Sequence, residues 1–409
     1  MSKRAIVKNL FLQTRSSYWF VPTVLVLLAV VASQISLLID LNRDSIFYIW
    51  PEAWETTEVD GARSTASVIA QSVLGVAGVM FSVTIVAVSF ASGNFGPRLI
   101  GNFMKDRGTQ WSLGILFGTF VFALMVLRAI HSGDGADDPA FEAFVPHLSL
   151  GLSMLLMGVS IITVIYYVHH IPETINVSNI SAGLGKRLRA AIETAIDERP
   201  ERGTSDDVVR PEGDPTQSLR ISSSGYIQNY DREQLTELAD KHDLHVHILH
   251  GVGGFVGPST AVMDVWSEKD LSEELSETLC GCFVVGSTLT EDQNLLFIVQ
   301  QLVEMTARAL SPGVNDPYTA INCLNWLYAA QSTASLYNGG FRESPITRVW
   351  SEDVTFDQIF SRGFGQCYAY VKTDDLTSAH LATLLDRLIA EIEDPEDIAT
   401  VRDFARKMD

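Results

Sequence analysis

The chain has 409 residues, of which 47% are apolar and only 19% charged, and its formal net charge is −20. So few charges exclude an intrinsically disordered chain, and the mean hydropathy of +0.17 favours a membrane protein. Residues 1–170 hold 10 basic and 11 acidic side chains, so nearly all of the negative charge follows residue 170. Such an acidic region repels a phosphate backbone, and we expect no nucleic-acid partner.

Four apolar segments are long enough to cross a bilayer, which takes about 20 residues of helix. The first, residues 18–39, is too long for a signal peptide and no small-residue cleavage site follows it, so we expect a retained span. The second has no ionisable side chain between residues 63 and 98. The third covers residues 111–127, and the fourth begins after His147 and covers residues 148–170.

The charged residues that flank the spans predict their orientation, because Lys and Arg are retained in the cytoplasm. Basic residues precede span one, lie between spans two and three, and follow span four, whereas the other two loops are acidic. Both termini are therefore predicted to be cytoplasmic. The basic residues are Lys3, Arg4, Lys8, Arg15, Arg98, Lys105, Arg107, Lys186, Arg187 and Arg189, and the acidic ones are Asp40, Asp44, Glu52, Glu55, Glu58, Asp60, Asp134, Asp137, Asp138 and Glu142.

The second span carries a stripe of small and polar residues along one helical face. Two interpretations are open: close packing of helices, or the wall of a water-filled path on the axis of a homo-oligomer. No ionisable residue lies at mid-depth of any span and no base accompanies the serines, which disfavours a proton-coupled carrier and a membrane-embedded enzyme. The pore-lining candidates are Ser67, Gln71, Gly75, Gly78, Ser82 and Ser89.

The predicted fold class is a membrane α-helical domain of four transmembrane helices, residues 1–170, followed by a cytoplasmic α+β domain that ends in helices. Residues 171–224 are predicted to form a juxtamembrane helix and a polar linker, and residues 225–409 the α+β domain. Strands are predicted at residues 225–230, 244–251, 259–266 and 280–287, the second and third on either side of a turn, GGFVGP. Helices are predicted at residues 232–242, 268–278, 291–310, 318–335, 376–392 and 395–408.

A turn motif, SPGVNDPYTA, separates the helices predicted at residues 291–310 and 318–335. Pro312 ends the first helix, Asp316 takes the N-cap position of the second, and Pro317 takes its first helical position. The functional alternative is an oxygen-rich turn of Ser311, Asn315 and Asp316 that faces a cation or a partner. Its spacing matches no EF-hand loop.

A histidine pair and a cysteine pair provide the best candidates for a metal site. His245 and His247 share one face of a predicted strand, as Cys280 and Cys282 do in another. Neighbouring strands would bring together two imidazoles and two thiolates, a ligand set that suits zinc. Neither pair has the Cys-x-x-Cys spacing, so we predict no metal and no cofactor, with these four residues as the alternative.

Two long motifs carry a family resemblance: FGPRLIGNFMKDRGTQWSLG at residues 95–114 and RALSPGVNDPYTA at residues 308–320. Together with the order of four spans and a soluble domain, they resemble a family of uncharacterised bacterial inner-membrane proteins known as a domain of unknown function (predicted membrane protein, number 2254). The resemblance covers essentially the whole chain. It implies a bacterial inner-membrane location and this architecture, and it brings no activity, substrate or cofactor.

The first motif also forms a cytoplasmic elbow between spans two and three, where topogenic charge alone explains the basic residues. Asp106 is expected to pair with a basic neighbour or to meet the soluble domain. If the second span lines a pore, the elbow lies at its inner mouth, where a cytoplasmic domain reaches the gate. The elbow residues are Arg98, Lys105, Asp106, Arg107, Thr109 and Gln110.

The leading functional hypothesis is a homo-oligomeric pore for ions or small solutes, without enzymatic activity, lined by the second span and regulated by the cytoplasmic domain. Acidic residues near the entrances favour inorganic cations. The alternative is a non-conducting membrane sensor or scaffold whose spans anchor and oligomerise the soluble domain. Both hypotheses place the chain in contact with the lipid bilayer.

Overall fold

The computed structural model of the chain describes residues 17–42, 57–104, 106–132, 143–197, 211, 213–291, 293–336, 347–352 and 354–408. Apart from residues 94–96, the described residues before Val177 form one compact unit, the membrane unit, and those from Val177 onward form a second unit. Several charges used to predict the orientation lie outside the described residues: Lys3, Arg4, Lys8, Arg15, Asp44, Glu52, Glu55, Lys105, Asp134, Asp137, Asp138 and Glu142.

Four helices of the described residues are long and apolar enough to cross a membrane, as predicted. They are α1 (Phe20–Leu41), α2 (Val59–Phe95), α4 (Arg107–Ala129) and α5 (His147–Thr174), with a short α3 (Ile100–Met104) between α2 and α4. At a rise of about 1.5 Å per residue, α2 is about 55 Å long, whereas the hydrocarbon core of a bilayer is about 30 Å thick. Therefore α2 is tilted or extends beyond the hydrocarbon.

Within the membrane unit, α1 and α4 share the most extensive close packing. Gly114 and Gly118 in α4 allow this approach, because a Cβ atom at Gly114 would lie 2.4 Å from Leu25 Cδ1 of α1. In contrast, α2 makes few close backbone approaches to the other helices. It buries an alanine-rich face in the membrane unit, which comprises Ala62, Ala66, Ala70, Ala77, Ala87 and Ala91.

The second unit contains two small sheets and a layer of helices. Its strands are β1 (Gln217–Arg220), β2 (Gly225–Tyr230), β3 (His245–Ile248), β4 (Phe255–Val256), β5 (Ala261–Trp266), β6 (Phe283–Gly286) and β7 (Val349–Ser351). Its helices are α6 (Val177–Asp197), α7 (Arg232–His242), α8 (Glu273–Cys280), α9 (Leu295–Ala309), α10 (Pro317–Ser335), α11 (Phe356–Phe360), α12 (Gln366–Val371), α13 (Asp375–Glu391) and α14 (Pro395–Ala405).

The first sheet has the strand order β1-β5-β3-β7, in which only β3 and β7 are parallel, and the second has the antiparallel order β4-β2-β6. Leu235 of α7 and Leu279 of α8 pack with strand residues such as Val246 and Val265 in one apolar core. Separately, α6 packs against α9 and α10. The basic helix after the last span is therefore part of the packed second unit.

The predicted strand at residues 225–230 and the helix at residues 232–242 are confirmed at both ends. The predicted linker, however, contains β1, which pairs with β5, and the predicted turn GGFVGP contains the two-residue strand β4. The strand predicted at residues 280–287 starts only at Phe283, because Cys280 still belongs to α8. Sequence patterns assigned no element to residues 336–375, where β7, α11 and α12 lie.

Candidate functional site

Asp40 caps the first turn of α5 from the last turn of α1 and is only 1% exposed. Its carboxylate accepts hydrogen bonds from the backbone amides of Leu148 and Ser149, each at 2.9 Å. The Ser149 hydroxyl donates to Asp40 Oδ2 at 2.6 Å and lies 2.9 Å from Ser36 Oγ. A helix N-terminus stabilises an anion, so this buried carboxylate fixes α5 to α1.

Neutral hydroxyl groups join α5 to two other helices deeper in the membrane unit. Tyr167 donates a hydrogen bond to the Met80 carbonyl of α2 at 2.7 Å, and its hydroxyl lies 2.6 Å from Thr84 Oγ1. The Ser160 hydroxyl donates to Thr119 Oγ1 of α4 at 3.0 Å. These groups satisfy one another inside the bundle and need no water or ligand.

The elbow contacts the last turn of α5 through Asp106 and His170. Asp106 is the N-cap of α4, where its carboxylate accepts from the Thr109 amide at 2.7 Å. The sequence predicts a basic or soluble-domain partner for Asp106, and the structure pairs it with His170 Nε2 at 2.9 Å. Tyr166 stacks on the His170 ring at 5.1 Å, and a Cβ at Gly108 would lie 2.4 Å from His170 Nε2. This contact therefore explains Asp106, Gly108 and Thr109 of the motif.

The remaining elbow residues differ in their surroundings. Gln110 is buried and donates to the Met104 carbonyl at 2.8 Å, whereas Arg98 and Arg107 are exposed and Lys105 lies outside the described residues. Burial raises the pKa of the Asp106 carboxyl, but hydrogen bonds from Thr109 and His170 outweigh burial and hold this pKa below its usual value.

We expect Asp106→Ala to lower the melting temperature of the full-length protein in lipid nanodiscs at pH 7. Because the pKa of Asp106 is lowered in the folded protein, its ionised form stabilises the fold above the usual aspartate pKa of about 4. This contribution is lost as the pH falls through the lower folded value, so the difference between variant and wild type should shrink there. Asp60→Ala, an exposed position in α2, is the control. A difference that does not change with pH would contradict the assigned role of the charge.

The pore-lining candidates lie on the side of α2 opposite to its alanine-rich face. All are exposed except Ser67, which is half-buried. A Cβ at Gly75 or Gly78 would meet nothing within 4 Å, in contrast to Gly114 of α4. Gln71 donates to Ser67 Oγ at 2.8 Å and Ser82 to the Gly78 carbonyl at 2.9 Å, both within α2. The alanine-rich face therefore packs inside the protomer, and the stripe does not.

The turn between α9 and α10 follows the predicted capping chemistry. Asp316 is the N-cap of α10 and accepts from the Thr319 amide at 3.1 Å and the Thr319 hydroxyl at 2.5 Å, and Pro317 is the first helical residue. Asn315 has a positive φ of 49°, and the Ser311 hydroxyl donates to the Arg308 carbonyl at 2.7 Å. The Asp316 carboxylate and the Ser311 hydroxyl thus take part in the turn itself.

The zinc alternative requires the histidine and cysteine pairs to lie in neighbouring strands, and this condition is not met. His245 and His247 lie in β3 of the four-stranded sheet, whereas Cys280 ends α8 and Cys282 precedes β6 of the other sheet. Burial raises the pKa of the Cys282 thiol to about 12. His247 stacks on Trp350 at 5.1 Å. In the parts of the chain that the structure describes, no three His, Cys, Asp or Glu residues are grouped to hold a metal ion.

A family model described as a predicted membrane protein, DUF2254, matches residues 15–387. The chain belongs to the DUF2254 family. This match covers all four spanning helices and most of the second unit, and it confirms the resemblance that the two motifs indicate.

Relatives of this DUF2254 chain are found in mycobacteria. It is 28% identical over 278 residues to the uncharacterized proteins Rv1290c of Mycobacterium tuberculosis and Mb1321c of Mycobacterium bovis. Each alignment covers 66% of this chain and 52% of the relative, so the chain spans about half the length of the curated relatives it matches. No solved structure matches the chain.

Sequence reasoning missed three polar residues that join the helices of this DUF2254 member: Asp40, Tyr167 and His170. The sequence pattern places Asp40 in an acidic loop and His170 only at the end of a span. The sequence signal that could have found these residues is their position. Each is a polar residue within or beside an apolar span, where an unpaired polar group is costly in free energy. Their partners lie between 64 and 109 residues away along the chain.

Proposed function

We propose that this DUF2254 member forms a homo-oligomeric pore for inorganic ions or small solutes in a bacterial inner membrane. In this proposal α2 lines the pore, both termini are cytoplasmic, and no enzymatic step or cofactor is involved. The supporting observation is the stripe on α2, which runs opposite to the face that the protomer buries. Small side chains, hydroxyls and one amide offer ions a wide, weakly polar wall without a fixed charge.

The proposal needs several copies of the chain, because one stripe on the outside of a protomer cannot enclose a path. Copies arranged around a closed symmetry axis would bring their α2 helices together with the stripes inward. The open space at Gly75 and Gly78 suits either a water-filled axis or a close helix contact between copies. The second case is the sensor or scaffold alternative, in which the stripe is a packing seam between copies.

Regulation by the second unit is supported by how the chain connects the helices. Only two residues separate the end of α5 at Thr174 from the start of α6 at Val177. In turn, α5 contacts the elbow through His170 and Asp106, and α2 through Tyr167 and the Met80 carbonyl. We propose that a rearrangement of the second unit moves α5 and thereby α2.

The test is the unitary current across a planar bilayer that contains the reconstituted full-length protein. We expect Gln71→Leu and Ser82→Leu each to lower the unitary conductance at least about twofold, because each replaces a polar wall group by an apolar one. The matched control is Val86→Leu, which changes an exposed apolar residue of the same helix.

Two results would count against the pore. If neither Gln71→Leu nor Ser82→Leu changed the unitary current, α2 would not line the pore. Folded, oligomeric protein that stays silent over a range of voltage, membrane tension and ions would favour the sensor or scaffold. In that case, bulky substitutions along the stripe should dissociate the oligomer.

A further inference from the structure

A groove of about 400 Å³ lies between α2 and α5 in the membrane unit. Its size falls in the range of small-molecule sites, roughly 300–1,000 Å³. Apart from Gly75, which belongs to the stripe, the residues from α2 lie on the flank between its alanine-rich face and its stripe. The lining includes Gly75, Val79 and Val83 of α2 and Val164, Tyr167 and Val168 of α5.

The groove offers no polar anchor. Met80 and Tyr167 are buried, and the Tyr167 hydroxyl donates to the Met80 carbonyl at 2.7 Å and contacts Thr84. The one side-chain oxygen in the lining is therefore already satisfied. A cavity without an unsatisfied polar group binds hydrocarbon in preference to water or ions.

The rim of the groove is continuous with the surface that this membrane protein presents to lipid. Val79 of α2 is 64% exposed and Val168 of α5 is 67% exposed, and both belong to spans that cross the membrane. A linear apolar molecule can enter from the bilayer without crossing any polar surface. A helix from a second copy suits the groove less well, because the rim carries branched valines, whereas the small residues that α2 leaves exposed lie mostly on the stripe.

We propose that one acyl chain of a bilayer phospholipid occupies this groove. The chain would lie against the Tyr167–Met80 contact, in the space that the two helices leave beside it along the level of Gly75 to Val83. This inference requires only the membrane location of the helices and is independent of a conducting pore.

The test is native mass spectrometry of the full-length protein, reconstituted with phosphatidylethanolamine and phosphatidylglycerol and then washed in mild detergent. Wild type is expected to retain one phospholipid per protomer. Val164→Trp fills the groove from α5 and Val79→Trp fills it from the exposed rim, and each should lower the retained phospholipid at least about fivefold. Ile162→Trp, an exposed position of α5 outside the lining, should retain it.

Each other outcome has a defined meaning. Wild type without retained phospholipid would overturn the proposal. So would Val79→Trp protein that is folded and retains as much phospholipid as Ile162→Trp. Dissociation of an oligomer by Val79→Trp, with unchanged bound phospholipid, would assign the groove to a second copy of the chain.

Discussion

Asp40→Ala is expected to lower the free energy of unfolding of the membrane unit by about 3 kcal/mol or more. The substitution leaves the part-buried amide of Leu148 and the buried amide of Ser149 without their acceptor, and the Ser149 hydroxyl keeps only Ser36 Oγ as a partner. Each buried donor that loses its partner costs about 1–3 kcal/mol. The α5 N-terminus also loses the anion that its dipole favours. The measurement is unfolding of the full-length protein in lipid nanodiscs, followed by circular dichroism.

Two variants separate this capping role from a general effect of charge. Asp40→Asn keeps the shape of the side chain but turns an amide group toward donors, so it should recover only part of the loss. Asp60→Ala removes an exposed acid from the first turn of α2 and should cost less than about 1 kcal/mol. If Asp40→Ala were as mild as Asp60→Ala, the carboxylate would not be what holds α5 to α1.

The spans were predictable because the signal is contained in each segment. About 20 consecutive apolar residues form a membrane helix whatever lies elsewhere in the chain. The same holds for α7, where Asp231 as N-cap and the helical spacing of Leu235 and Ala239 are local features. The type and bounds of such elements depend on residues that are neighbours in the sequence, so they can be predicted without knowledge of the tertiary structure.

The missed features depend on contacts that are remote in the sequence. The sequence places Asp40 in an acidic loop, because no neighbouring residue reveals that Ser149 supplies its hydrogen-bond donors. Similarly, β1 has four residues without clear alternation and becomes a strand only by pairing with β5. The zinc alternative had the same weakness, since it depended on strand adjacency that the two sheets do not provide.

The two small-residue stripes of α2 show where sequence reasoning reaches its limit. Helical periodicity separates the alanine-rich face from the stripe that contains Gln71 and Ser82, and it marks both as able to approach another surface. It does not tell which of them the protomer uses. The structure buries the alanine-rich face and leaves the stripe exposed, which makes the stripe the better candidate for a contact with water or with another copy.

The packing of α6 on α10 leads to the second large expected effect, at Gly185. A Cβ at this position would lie 2.3 Å from Trp326 Cδ2 and Cε3, and real Cβ atoms do not approach this closely. The ring is rigid and its contacting atoms are near its attachment, so relief requires the two helices to separate. We expect Gly185→Ala to lower the free energy of unfolding by about 1–3 kcal/mol, as overpacking does. Thermal unfolding of the full-length protein in nanodiscs measures it.

Gly183→Ala in the same helix is the matched control, because a Cβ there would meet nothing within 4 Å. It should stabilise the protein by about 0.5–1 kcal/mol, since alanine loses less backbone entropy than glycine in a helix. Adding Trp326→Leu to Gly185→Ala should recover part of the loss, because the rigid ring is removed. Equal stability of the two alanine variants would mean that α6 does not pack on Trp326. The helix that follows α5 in the chain would then not be held by this ring.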